Sequence, residues 1–321
     1  MRIEIVTPAP VGSHHGNRVT ADRWAGMLTE LGHEPTITTT WSGEPVDALI
    51  ALHAHRSSGP AREFAAAHPD RPLIIALTGT DLYRDLAGSV QAQQAIEAAD
   101  ALVVLQARAV DAVPARLRDR VHVIHQSVAA PGTPNTATAG DTFEVVVLAH
   151  LRAVKDPFLA AVATRLLPAD SAVRVTHCGA PIDPGTAERA RAESAANSRY
   201  RWLGDVPRRD ALRHLAASSL LVLTSRLEGG ANAVSEALAA GVPVLSTRVE
   251  GSVGLLGDDY PGYVAVGDAA GLAQALQWAE RDPTFLAALT AGVAARRELV
   301  DPERERQAWA DLIARVVARE L

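Results

Sequence analysis

The chain has 321 residues, enough for two domains of ordinary size. Apolar residues make up 48% and charged residues 21%, a globular balance, and the net charge of −6 argues against nucleic acid, whose phosphates select basic faces. Cys178 is the only cysteine, so an intrachain disulfide is excluded and a reducing cytoplasm fits.

Residues 1–7 read as a first strand with a charge inside it, not as the apolar heart of a signal peptide. No uncharged apolar run is long enough to span a bilayer, so a soluble cytoplasmic protein without membrane contact is expected. Short apolar runs at 3–6, 48–52, 73–77 and 101–105 predict strands, with helical patterns between them, as at 19–31 and 60–67. Residues 129–141 are rich in Pro, Gly, Thr and Ala and lack apolar periodicity, which predicts a linker. The alternation then restarts, with strands expected at 143–149, 172–178, 220–224 and 242–246 and helices at 157–167, 187–196, 208–217 and 231–240.

This pattern predicts an α/β fold of two Rossmann-like domains, 1–128 and 142–301, with parallel sheets facing an interdomain cleft. The last segment, 302–321, places Trp309, Leu312, Ile313, Val316 and Val317 on one side of a helix and is expected to pack back on the first domain.

The most informative stretch is 220–247, LLVLTSRLEGGANAVSEALAAGVPVLST. A strand is followed by a loop with Glu228, Gly229 and Gly230, then by a helix starting near Ala231 and ending at Gly241. Glycines let backbone N–H groups approach a ligand, and the open helix N-terminus behind them attracts anions, so a diphosphate suits this place. Glu236, in the first turns of the helix, leans back toward the N-terminus, where a carboxylate matches a ribose diol. Glu228 stands on the loop itself, placed for sugar hydroxyls or the reacting centre.

Glu228-x7-Glu236, within SRLEGGANAVSEALAAGVPV, resembles the E-x7-E motif of GT-B glycosyltransferases related to family 4. The resemblance implies that Glu236 holds the donor ribose, that Glu228 contacts the transferred sugar, and that Gly229, Gly230, Ala231 and Asn232 bind the donor. His150-Leu151-Arg152-Ala153-Val154-Lys155-Asp156 resembles the same family's G-R-L-x-x-x-K-G element, in which Arg and Lys neutralise the donor phosphates. His150 and Asp156 stand where that family has glycine. Of 31 basic residues, 30 are arginine, and the single lysine, Lys155, falls on the motif's lysine position. A compact ammonium in a tight site explains why arginine was not used there; an ordinary first-turn basic residue is the plainer alternative. Val206, after Trp202-Leu203-Gly204-Asp205, is assigned to the nucleobase on the family layout.

The strand-end loops of the first domain point to the acceptor. Gly12, Ser13, His14, His15, Asn17 and Arg18 form one polar loop, which is either a ligand loop or a solvated turn. Its spacing is not the dinucleotide fingerprint, so nicotinamide chemistry is disfavoured. His53 and Thr78-Gly79-Thr80-Asp81 close two further strands, and His53 is either the candidate acid or base or a group that only hydrogen-bonds the sugar. No Asp-x-Asp stands at a strand end and no His/Cys cluster has metal spacing, so neither metal nor other cofactor is expected.

The opening segment, His53-Ala54-His55 and Leu77-Thr78-Gly79-Thr80-Asp81-Leu82-Tyr83 also resemble the selenosugar synthases of selenoneine biosynthesis. That resemblance implies transfer of N-acetylglucosamine from UDP to a selenophosphate surrounded by residues 12–18 and 78–81, with Arg152, Lys155 and the helix N-terminus stabilising the leaving UDP and no strong base required; Glu228 and His53 complete the set of candidate catalytic residues. It also implies a functional link to an enzyme that makes selenophosphate. A different small O- or S-acceptor, or a UDP-sugar epimerase or hydrolase, remains open at this point.

Overall fold

The computed structural model describes residues 1–13, 15–129 and 142–318. The chain divides into two compact units, Met1–Gln126 with Pro302–Leu321, and Ser127–Asp301. Of the expected linker, 130–141 lie outside the described residues.

The first unit holds β1 (Arg2–Val6), α1 (Gly16–Glu30), β2 (Glu34–Thr38), β3 (Ala48–Leu52), α2 (Ser58–Ala67), β4 (Leu73–Leu77), α3 (Val90–Ala98), β5 (Ala101–Val104), α4 (Ala109–Ala112) and β6 (Val121–Val123). Its six strands run in the order β2-β1-β3-β4-β5-β6, every pair parallel. All residues of β3 and β4 are buried, because helices cover both faces of the sheet, and this is why those strands read as unbroken apolar runs. Alternate residues serve opposite faces: Leu49 and Ala51 join the layer with Phe64 and Ile96, while Ile50 and Leu52 join the layer with Trp24 and Leu28.

The second unit holds β7 (Phe143–Leu148), α5 (Leu159–Arg165), β8 (Val173–Cys178), α6 (Thr186–Ala196), β9 (Tyr200–Trp202), α7 (Arg208–Ala216), β10 (Leu220–Leu223), α8 (Asn232–Ala240), β11 (Val244–Thr247), α9 (Glu250–Leu256), β12 (Tyr263–Val264), α10 (Ala269–Arg281) and α11 (Pro283–Arg296). Its strand order is β12-β11-β10-β7-β8-β9, again all parallel. Here the order reverses between β7 and β10, neighbours in space but far apart in sequence. In sheets of this kind ligands bind beyond the carboxyl ends of the strands at that reversal.

The chain then returns to the first unit as α12 (Pro302–Ala318). Trp309, Leu312, Ile313 and Val316 are buried beside Ile3, Ile5, Trp24 and Leu28, whereas Val317 stays half exposed. Glu305, only 2% exposed, accepts from Trp24 Nε1 at 2.7 Å and from Arg23 Nε at 3.0 Å, so the buried carboxylate is both paired and hydrogen-bonded.

Candidate active site

In the second unit the loops after β7 and β10 are stitched together. After β7 the chain passes His150, whose Nδ1 accepts from Ala180 N–H at 3.0 Å, and reaches Arg152 in extended conformation. Lys155 N–H then closes a single 3₁₀ turn on Arg152 O at 2.9 Å. Arg152 and Lys155 therefore bracket one turn, and the helix expected from 157 begins as α5 only at Leu159. Asp156 takes the left-handed conformation, φ 43° and ψ 56°, which accounts for glycine at this place in the resembling motif. Asp156 Oδ2 is held by Arg226 Nη2 at 2.6 Å. Arg226 N–H donates to Val154 O at 2.9 Å, and Thr224 Oγ1 to Lys155 O at 2.9 Å.

These backbone links bring Lys155 to Glu228. Lys155 Nζ lies 2.5 Å from Glu228 Oε1, which also accepts from Ser225 Oγ at 2.5 Å. Glu228 is 8% exposed, so its charge is compensated almost out of water. Thr247 Oγ1 fixes the loop further by donating to Ser225 O at 2.5 Å. Gly251, the second residue of α9, lets that helix close on the loop: a Cβ there would lie 2.6 Å from Glu228 O. Arg152, half-buried, has no carboxylate partner among the described residues.

The first residues of α8 lie just beyond Gly229 and Gly230. Its N-cap is Ala231, without a side-chain cap, where Ser, Thr, Asp or Asn would be the stabilising choice. An uncapped N-terminus keeps its N–H groups available to an anion. Gly241, at φ 71°, closes the other end. Glu236 is 7% exposed and receives Arg208 Nη1 on Oε1. Val206 is half-buried in the loop after the edge strand β9, two residues before Arg208. Sequence reading missed Ser225, Arg226, Gly251 and Arg208. The first two sit inside or beside the quoted motif. Arg208, 28 positions from Glu236, leaves no local signal.

In the first unit the strand order reverses between β1 and β3. Ser13, His15, Asn17 and Arg18 follow β1, and Gly12 turns the chain there with φ 76°. Ser13 Oγ donates to Pro10 O at 2.9 Å, and His15 is the N-cap position of α1. Arg18 Nε lies 2.9 Å from Asp22 Oδ1 but outside hydrogen-bonding geometry. His14 lies outside the described residues.

His53 follows β3 with φ 72°, one of two non-glycine residues with positive φ among those described, and is 4% exposed. Its Nδ1 accepts from Arg56 N–H at 3.3 Å, so in the neutral ring Nε2 carries the proton and donates to Thr80 Oγ1 at 3.1 Å. Burial holds the His53 pKa below the ordinary imidazole range, against the opposing pull of Asp81. Asp81, wholly buried, accepts from Gly79 N–H at 2.7 Å, Ala54 N–H at 2.9 Å and Thr78 N–H at 3.1 Å. Its carboxylate thus ties the loops after β3 and β4 together, leaving Thr78 and Thr80 half-buried at their surface.

Two parallel Rossmann-like sheets, with a basic and acidic cluster at the reversal of the second, define a GT-B architecture, and solved structures of that fold superpose over nearly the whole chain. Sucrose-phosphate synthase from Thermosynechococcus elongatus is 16% identical with a TM-score of 0.78, covering 99% of each chain. Anabaena HepE in complex with UDP-glucose is 16% identical with a TM-score of 0.76, covering 98% of this chain and 99% of that one. A glycosyltransferase from Rickettsia africae is 14% identical with a TM-score of 0.72, covering 98% of both. At such identities these likenesses speak for the fold. The profile described as "Glycosyl transferases group 1" matches residues 134–297, just over half of the chain, and the protein belongs to that family. Among the described residues no helix is long and apolar enough to cross a membrane.

Proposed function

We propose that this glycosyltransferase moves N-acetylglucosamine from UDP-N-acetylglucosamine to selenophosphate and forms a carbon–selenium bond. The observation that carries the donor half is the 2.5 Å contact of Lys155 with Glu228 across the strand-order reversal, beside the uncapped start of α8. Complexes of Anabaena HepE with UDP and with UDP-glucose support a uridine donor. The acceptor half rests on the resemblance of the first-unit loops to selenosugar synthases.

In this reading Arg152, Lys155 and the N–H groups of α8 counter the charge that develops on the leaving UDP. Glu236 binds the ribose, Glu228 the transferred sugar, and Val206 borders the base. Selenium attacks carbon one, the carbon–oxygen bond to UDP breaks, and its electron pair leaves on the diphosphate. Water then cleaves the selenium–phosphorus bond, releasing phosphate and a selenol. Selenium is a strong nucleophile, so positioning outweighs base catalysis. Gly12, Ser13, His14, His15, Asn17, Arg18, Thr78, Gly79 and Thr80 surround the anionic acceptor. His53, neutral and with both ring nitrogens engaged by Arg56 N–H and Thr80 Oγ1, orients Thr80 rather than acting as acid or base, and Asp81 positions the loops. No metal takes part, which chelator-insensitive turnover would bear out. The reaction belongs in the cytoplasm, where a selenol stays reduced, and depends on an enzyme supplying selenophosphate.

Mass spectrometry of reactions offering UDP-N-acetylglucosamine with selenophosphate, thiophosphate or simple alcohols tests this. A selenosugar with equimolar UDP is expected. Absence of any selenium-containing product overturns the acceptor assignment, and UDP release without an acceptor identifies an epimerase or hydrolase instead.

A further inference from the structure

Arg208 is the first residue of α7, and its Nη1 reaches Oε1 of Glu236 on α8. Helix electrostatics do not explain an arginine there. A cation in the first turn opposes the helix dipole, and an acidic residue would be the stabilising choice. Asp210 already plays that part, two residues on, and is paired with Arg213 at 2.9 Å. The pair with Glu236 is also unlike a solvated surface bridge, because Glu236 is 7% exposed while the Arg208 side chain is 39% exposed. One partner is thus packed inside the unit and the other brings charge to it from the rim. The two glutamates of the motif have different cations: the ammonium of Lys155 for Glu228, and the planar fork of Arg208 for Glu236. Engaged through one nitrogen, the fork holds one carboxylate oxygen, Oε1, and keeps further N–H donors. Arg208 also lies two residues beyond Val206.

We infer that Arg208 is a positioning residue that aims the Glu236 carboxylate at the donor ribose, and that the pair makes the site select ribonucleotides over 2′-deoxyribonucleotides. This rests on the nucleotide-sugar reading above and concerns only the second unit. With one carboxylate oxygen held by Arg208, a ribose hydroxyl meets a better prepared acceptor; without Arg208 more of that ordering falls to the ligand.

Calorimetric titration of the full-length protein with UDP and with 2′-deoxy-UDP tests the inference. A hydroxyl hydrogen-bonded to a carboxylate leads to a wild-type preference for UDP of roughly 10- to 100-fold. Arg208→Ala is expected to reduce that preference at least fivefold, with Arg208→Lys recovering part of it. Arg208→Gln, which keeps the stem, replaces the alanine variant if that one does not fold. In turnover assays the donor KM should rise while kcat stays within about threefold, the signature of lost ground-state positioning. A full preference for UDP in a folded Arg208→Ala variant overturns the role of Arg208. Failure of the wild type to bind UDP overturns the nucleotide-sugar reading itself.

Discussion

Lys155 is the one basic residue of 31 that is not arginine, and its ammonium lies 2.5 Å from Glu228. Gly251 packs against the Glu228 backbone with no room for a methyl group, so the loop cannot back away from a bulkier partner. Lys155→Arg is therefore expected to lower kcat on the order of 100-fold, comparable to losing one preorganised charge at a developing anion. Thermal unfolding should move by no more than a few degrees, and near-normal turnover in the variant would contradict the role given to the ammonium. His177 offers a test of stability instead. It is wholly buried between Tyr200 OH and Ala149 O, each at 2.8 Å, and burial pushes its pKa down to about 4. In the unfolded chain the pKa is near 6.5. A depressed histidine stabilises the fold fully above the unfolded value, and the benefit is lost as pH falls toward the folded one. That gap of roughly 2.5 pH units corresponds to about 3 kcal/mol lost between pH 6.5 and pH 4. His177→Gln should flatten the fall in melting temperature over that window, and an unchanged slope would count against His177 as its source.

The loop carrying Lys155 depends on Asp156, whose left-handed backbone is costly for residues other than Gly, Asn and Asp. Asp156→Gly is expected to keep stability within about 1 kcal/mol, since easier backbone geometry offsets a floppier unfolded chain and the loss of a half-exposed ion pair. Asp156→Ala should cost about 1–2 kcal/mol in urea unfolding, and equal stability of the two variants would contradict the backbone explanation. Sequence pattern marked this departure from the glycine motif without giving its conformation, because dihedral demand is not written in composition. Strands β3 and β4 were legible to the residue, since burial on both faces leaves an uninterrupted apolar signature. The edge strands β2, β6, β9 and β12 were not: β2 reads EPTIT and is half exposed, with Pro35 tolerated because it is at an edge. The strand expected at 242–246 begins two residues later, as Gly241 ends α8 in a left-handed cap and Pro243 has no N–H for a ladder. The E-x7-E helix was readable from glycine and proline punctuation, while Arg208 was not, because only the packing of α7 on α8 brings it to Glu236.

For the molecule as a whole, strand order is the property that local pattern does not carry. Alternating elements announce parallel sheets, but only the folded topology places β7 beside β10 and so joins Lys155 to Glu228. The return of α12 to the first unit is fixed by Trp309 packing at 4.7 Å from the Trp24 ring and by Glu305 bound to Arg23 and Trp24. Trp309→Ala should destabilise the protein by about 3–5 kcal/mol through the cavity it leaves, read as an early loss of structure in urea; a change below 1 kcal/mol would mean that α12 is not part of that core. Carbon-13 NMR of a reaction containing UDP-N-acetylglucosamine labelled at carbon one and selenium-77 selenophosphate reads the proposed carbon–selenium bond directly. A one-bond carbon–selenium coupling on carbon one, growing in step with UDP, is the expected result. A carbon-one signal that remains uncoupled while UDP accumulates would contradict it.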